Sequence, residues 1–306
     1  MGTESPTDLA CAEMLRMWPT VADHRVATAD RILTAARPLL GDAPDIAEPA
    51  AAPRYALLHH MLLTLQAAAK DERSDLVKAA GRLLDEAGTV PADRIRTVTA
   101  ADCSSFSMTG MSDPVHVVPP SATATDQAGF DLAGALKAVR AAGFGPLIER
   151  ATGVIIDLGA RAEYASPVSF TLSFLPATMG IEWSSDPVEV GESMVHEAAH
   201  TWLNECFDAQ GINVPAGPLI YSPWKDADRP PKGIIHAAFA FSTVVRYLSA
   251  AGESRDVADR HVRRISAEKR IIDRHRASVE SAIAMMPDGD TRNMVLSQLD
   301  IALSVE

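Results

Sequence analysis

The sequence carries His196-Glu197-Ala198-Ala199-His200 inside a run that is apolar almost all round. Met194, Val195, Ala198, Ala199, Trp202, Leu203, Cys206 and Phe207 surround the two histidines, and a helix with so little polar face is expected to be buried on nearly every side. Histidines four apart project from one helix face and can grip a single transition-metal ion. In an apolar setting two imidazoles need partners for their ring nitrogens, and an ion satisfies two at once. A pair of core histidines bonded to backbone carbonyls is the alternative. The pattern places the helix over about residues 189–208, with Gly191 and Glu192 near its start, where an acidic residue suits the helix dipole.

The chain as a whole leaves room for such a site without needing it for stability. At 306 residues it can build two domains, or one large one, with a full hydrophobic core. Only 5% of residues are aromatic, so that core must rest largely on Ala, Val, Leu and Ile. A net charge of −12 argues against nucleic acid as a partner. The N-terminus lacks the basic start and apolar core of a secretory signal, and no run approaches the 18 or more apolar residues of a membrane span. Cys11, Cys103 and Cys206 are odd in number and far apart, which fits a reducing cytoplasm. The expectation is a cytoplasmic protein without a membrane.

Periodicity and punctuation predict a mainly α, α+β chain: a helical N-terminal region over 1–96, a linker or edge strand over 97–127, and a metal-binding domain over 128–306. About four bundled helices are expected before residue 90, with an edge strand around Val115 to Val118. One or two helices follow over Leu132 to Arg150, broken near Gly143 and Gly145. Strand-like runs cover Val154 to Leu158, Val168 to Leu175 and Met179 to Trp183, giving a small β-sheet beside the motif helix. The last of these runs is either an edge strand able to hold an extended peptide by main-chain bonds or an ordinary core strand. A strongly apolar helix spans about Ile234 to Ala251, and two more helices end the chain around a turn at Pro287-Asp288-Gly289-Asp290.

A catalytic metal normally takes three protein ligands and keeps positions open. The continuation His-x-x-Gly-x-x-His fails here, because Leu203 and Cys206 occupy the matching positions, and there is no glutamate between Glu205 and Glu253. His236, 36 residues after His200 at the start of the apolar helix, is the strongest third donor. Asp226 and Asp228 are possible donors from the intervening loop, but they lie among solvated charges.

The run HEAAHTWL, with Tyr-Ser-Pro-Trp-Lys at 221–225, Arg229-Pro230 and Gly233-Ile234-Ile235-His236, resembles the His-Glu-x-x-His proteins encoded with ribosomally made peptide products. That family is assigned as iron(II)- and 2-oxoglutarate-dependent peptide β-hydroxylases, and the likeness is specific over about residues 179–250. It implies that His196, His200 and His236 hold iron and that a basic residue receives the far carboxylate of 2-oxoglutarate. Arg229 is the choice, since a guanidinium can take a carboxylate in a two-pronged grip. Three histidines would suit zinc equally well. In a zinc metallopeptidase Glu197 would be the general base, whereas in an oxygenase it would orient a ligand or bond the substrate. A third reading is a non-catalytic peptide-binding protein with a structural metal.

The partner implied is a peptide, possibly with a leader segment. The locally basic stretch Arg255 to Arg276 could offer a groove for an acidic leader, although a solvated helix face is the simpler reading. His59 and His60 are expected in the N-terminal bundle.

Overall fold

The computed structural model describes residues 11–41, 44–106, 115–120, 130–161, 168–251 and 255–305, with side chains from 259 onward in the last segment. The parts of the expected linker at 107–114 and 121–129 lie outside the described residues, as do the side chains of Arg255 and Asp256 in the basic stretch. The protein is mainly helical with small sheets, an α+β chain. Its elements are α1 (Ala12–Leu15), α2 (Trp18–Leu40), α3 (Ala52–Asp71), α4 (Ser74–Thr89), β1 (Arg96–Thr99), β2 (Ser104–Phe106), β3 (Val115–Val117), α5 (Leu132–Ala141) and α6 (Gly145–Ala151). Then come β4 (Val154–Ala160), β5 (Ser169–Leu172), β6 (Leu175–Trp183), α7 (Pro187–Gln210), β7 (Ile220–Ser222), β8 (Ala227–Arg229), α8 (Pro231–Ala251), α9 (Arg255–Arg274), α10 (Arg276–Ile283) and α11 (Asp290–Ser304).

Two compact units are present, and neither is contiguous in sequence. One, the sheet unit, comprises Ala22–Leu132 and Glu149–Ser185; the other, the histidine unit, comprises Met1–Val21, Ala133–Ile148 and Asp186–Glu306. This division cuts across the contiguous one expected from composition, and strand pairing is the reason in the sheet unit. There β1, from the N-terminal half, pairs parallel with β4, β4 pairs parallel with β6, and β5 closes the order β1-β4-β6-β5 as an antiparallel neighbour of β6. Parallel partners must come from separate stretches of chain, so the sheet draws in residues on both sides of 132–149.

The sheet unit's core joins helix to strand. Ala29 and Ile32 of α2, Leu57, Leu58 and Met61 of α3 and Leu83 of α4 pack with Val98, Val154, Ile156 and Ala177 of the sheet. The N-terminal helices are therefore the cover of a sheet rather than a bundle closed on itself. The run Met179 to Trp183 lies inside β6, hydrogen-bonded on both sides, so it is a core strand and offers no edge to a peptide. Its seven consecutive buried residues, Leu175 to Ile181, are what coverage of both faces demands. Gly180 is required there, since a Cβ would stand 2.3 Å from Cε1 of Phe170 lying across it from β5. His60 is a core histidine: fully buried, it lies 3.1 Å from Thr178 Oγ1 on β6 and accepts the Val118 N–H at 3.3 Å.

In the histidine unit α7 is the central helix. It begins two residues earlier than the apolar pattern suggests, because Asp186 caps it by accepting the Val188 N–H at 2.9 Å and Pro187 fills the first helical position. Gly211, at φ +62°, ends it. Trp202 is fully buried, stacks on Trp18 at 6.2 Å and donates to the Met14 carbonyl at 3.2 Å, which explains why the first described residues belong with this unit. Among the described residues, α8 is the one helix long and apolar enough to cross a membrane, and 67% of its most apolar window is buried inside the protein. It is a core helix packed on α7, α9, α10 and α11. The end of the chain holds three helices where two are expected, since the helical run after residue 255 breaks at His275.

Candidate metal centre

The exposure of α7 repeats every four residues. From Val190 to Phe207 every side chain is buried except Glu192, His196, His200 and Asn204. The motif histidines thus sit on the one line of this helix that reaches out of the core, and Glu197, 3% exposed, lies off it. On α8, Gly233, His236, Ala237 and Phe241 form the corresponding half-buried line within its first three turns. The packing of α7 against α8 brings the two lines together.

All three predicted histidines meet. His196 Nε2 lies 3.1 Å from His200 Nε2, and His200 Nδ1 lies 3.4 Å from His236 Nδ1. Two nitrogens bound to one ion at about 2.0–2.1 Å stand roughly 3.0–3.4 Å apart, so the first pair is spaced as ligands are. The second contact uses the opposite edge of the His200 ring. The three histidines therefore form a chain rather than converging on one point, and among the described residues no group of three His, Cys, Asp or Glu side chains is gathered around an ion-sized space. His236 still has a nitrogen to give, because its Nε2 is buried without a hydrogen-bond partner. Asp226 is engaged elsewhere, accepting from the Tyr221 hydroxyl at 2.7 Å, and Asp228 is exposed on β8.

Aromatic rings fix the imidazoles. Phe241 stands edge-on to His196 at 4.8 Å, and Phe207 edge-on to His236 at 5.6 Å. Trp224 stacks flat on Phe241 at 5.4 Å and donates its Nε1–H to Glu268 Oε2 at 2.9 Å. Glu268 is 2% exposed, and burial pushes its carboxyl pKa up against the pull of Arg264. Arg264 bonds Glu192 at 3.2 Å and Glu268 at 2.6 Å, with its guanidinium 5.7 Å from the Phe241 ring. The locally basic α9 thus spends Arg260 and Arg264 on the acids of α7, since Arg260 pairs with Asp186 and Glu189.

The imidazoles are neutral. Burial, then His200, Arg264 and Lys225, hold His196 well below the ordinary histidine range. Burial, then Lys225 and Arg229, lower His200 to about 4. Burial, then His200, Lys232 and Arg229, depress His236 strongly. Neutral imidazole is the form that binds metal. The protonation state therefore suits an ion although the three side chains do not converge on one, and every charged side chain other than histidine acting on them is a cation. Arg229, the sequence choice for a carboxylate, does lie at the centre: its Nε would be 3.2 Å from a Cβ on Gly233, one turn of α8 before His236. Trp224 and Lys225 enter the sequence reading only within the run at 221–225 and without a role, and Lys232 and Phe241 do not enter it. Lys232 and His236 are four apart at the start of one helix, and that spacing was a legible signal.

No model of a known protein family matches the sequence, and no curated protein matches it significantly.

Proposed function

We propose that this protein is an iron(II)- and 2-oxoglutarate-dependent oxygenase that hydroxylates a side-chain β carbon of a ribosomally made peptide. The observation that carries the reading is the charge around the histidines. Three neutral donors ringed by cations would hold a divalent ion poorly by themselves, because the cations repel it. They would hold it well together with a dianion, and a keto acid that chelates the ion supplies one.

In this reading His196 and His200 hold the ion through their paired Nε2 atoms, and His236, which touches the far edge of the His200 ring, would supply the third nitrogen through its unpartnered Nε2 once its side chain turns toward that pair. Arg229, half-buried at the end of β8 and acting electrostatically on His200 and His236, takes the far carboxylate of 2-oxoglutarate. The half-buried Trp224–Phe241 stack covers one side of the centre. Bound iron(II) would supply oxidative chemistry at an unactivated carbon, with dioxygen and 2-oxoglutarate converted to the new hydroxyl, succinate and carbon dioxide. Glu197, buried off the histidine line, is a positioning residue of α7. In a zinc metallopeptidase that carboxylate would instead be the base that deprotonates the metal-bound water.

The test is anaerobic reconstitution of metal-free protein with iron(II), followed by visible absorption as 2-oxoglutarate is added. A weak charge-transfer band that needs both, lost in His236→Ala and weakened in Arg229→Gln, is the expected result. No band, with tight zinc binding and peptide cleavage, establishes the peptidase; stoichiometric zinc with no open coordination site and no turnover establishes the structural metal.

A further inference from the structure

The cations around the histidines differ in depth and in what they touch. Arg229 is half-buried, while Lys225 and Lys232 are exposed. Lys232 lies 5.8 Å over the ring of Phe207, which in turn stands against His236. Lys225 follows Trp224, whose ring lies on Phe241 beside His196. Lys232 thus lies by the His236 end of the histidine chain and Lys225 follows the residue stacked by its His196 end, while Arg229 acts on His200 and His236. None of the three makes an ion pair among the described residues, although Arg73, Arg96, Arg260, Arg264, Arg276 and Arg292 all do.

In a protein of net charge −12, three cations that form no ion pair, although Asp226 and Asp228 share their loop, are conspicuous. A divalent ion and a dianionic keto acid cancel each other, so they leave this excess in place. Arg229 can meet the far carboxylate of the keto acid, and the lysines still lack an anion. We propose that Lys225 and Lys232 bind carboxylate side chains of the peptide, so that the substrate is an acidic stretch whose Asp or Glu residues flank the position presented to the metal. The proposal rests on the oxygenase reading for the co-substrate, while the recognition of an acidic peptide stands on the lysines alone.

Fluorescence anisotropy of a labelled (Gly-Asp)4 peptide with the full chain, loaded with redox-inert zinc and 2-oxoglutarate, tests it. Binding tighter than that of (Gly-Asn)4 is expected, against the repulsion of the protein's overall charge and weakening as salt rises. Each lysine is expected to contribute about fivefold, so Lys225→Gln with Lys232→Gln lowers affinity by about 25-fold. Calorimetry of 2-oxoglutarate binding is expected to show no change in that double variant. Equal affinity for the two peptides, or an unaltered double variant, overturns the proposal. It is also overturned if 2-oxoglutarate competes with the peptide and the double variant loses both, since the lysines then serve the co-substrate. Peptide binding that depends on the lysines without any 2-oxoglutarate binding supports the proposal while refuting the oxygenase.

Discussion

Replacing Gly191 by alanine sets two effects of opposite sign against each other at the seam that positions the histidines. In an exposed helix interior the change stabilises by about 1 kcal/mol, because glycine loses more backbone freedom on folding. At Gly191 the new Cβ would stand 2.2 Å from Tyr247 Oη, 3.0 Å from its Cζ and 3.0 Å from Val139 Cγ2. Tyr247 has nowhere to go: its side chain is fully buried, edge-on to Phe144 at 5.9 Å, and its hydroxyl donates to the Val188 carbonyl at 3.2 Å. Relief requires α8 to move away from α7 or the hydrogen bond to break. Overpacking of this kind costs about 1–3 kcal/mol, and the lost bond about 1 kcal/mol more. The steric effect wins, and Gly191→Ala is expected to destabilise the protein by about 1–3 kcal/mol after the helix gain. Urea unfolding followed by circular dichroism measures it. Adding Tyr247→Phe removes the atom at 2.2 Å, so the double variant is expected to recover part of the loss. A Gly191→Ala protein as stable as the parent, or losses that simply add in the double variant, would refute the steric reasoning.

Two further outcomes follow from the same packing. His59, with burial as the main cause, is lowered to about 4 and His60 to about 3, whereas both take a proton near 6.5 in the unfolded chain. The unfolded state thus binds more protons below pH 6.5, and stability is expected to fall as pH drops from about 6.5 toward 4, less steeply in His60→Gln; an unchanged slope in urea titrations across that range would exclude His60 as a cause. Asp186→Ala removes the cap of α7 and is expected to cost about 1 kcal/mol, while Arg260→Ala, half-exposed and acting on the same carboxylate, is expected to cost under about 0.5 kcal/mol. Equal losses would mean that the ion pair, and not the cap, holds the helix start.

Sequence reading served best where the determining interactions are local. The period of the apolar residues marked α7 and α8, and Gly143 and Gly145 marked the break between α5 and α6. The apolar pattern places the start of α7 within two residues, and the cap Asp186-Pro187, which is not apolar, sets it where it is. The run Met179 to Trp183 left edge and core strands equally open, since a short apolar run carries no record of how many neighbours it will have. Pairing with β4 and β5 decided it. The contiguous domain division failed to anticipate that β1 would pair with β4 some 58 residues away in register, Arg96 opposite Val154.

At the candidate metal centre the division is the same. That His196 and His200 share a helix face is dictated by a spacing of four, whatever the rest of the chain does. That His236 reaches His200 depends on how α8 packs across α7, and that contact is made by residues 36 apart. Sequence can nominate Arg229 by its type, but that Lys225, Arg229 and Lys232 form no ion pair among the described residues is a tertiary outcome: Asp226 is turned to Tyr221, Glu192 and Glu268 to Arg264, and Asp228 stands exposed without pairing with any of the three. Helix periodicity is a property of neighbouring residues and can be read along the chain. The charge that the site presents to a ligand is a sum over groups brought together by packing, and the tertiary structure alone decides it.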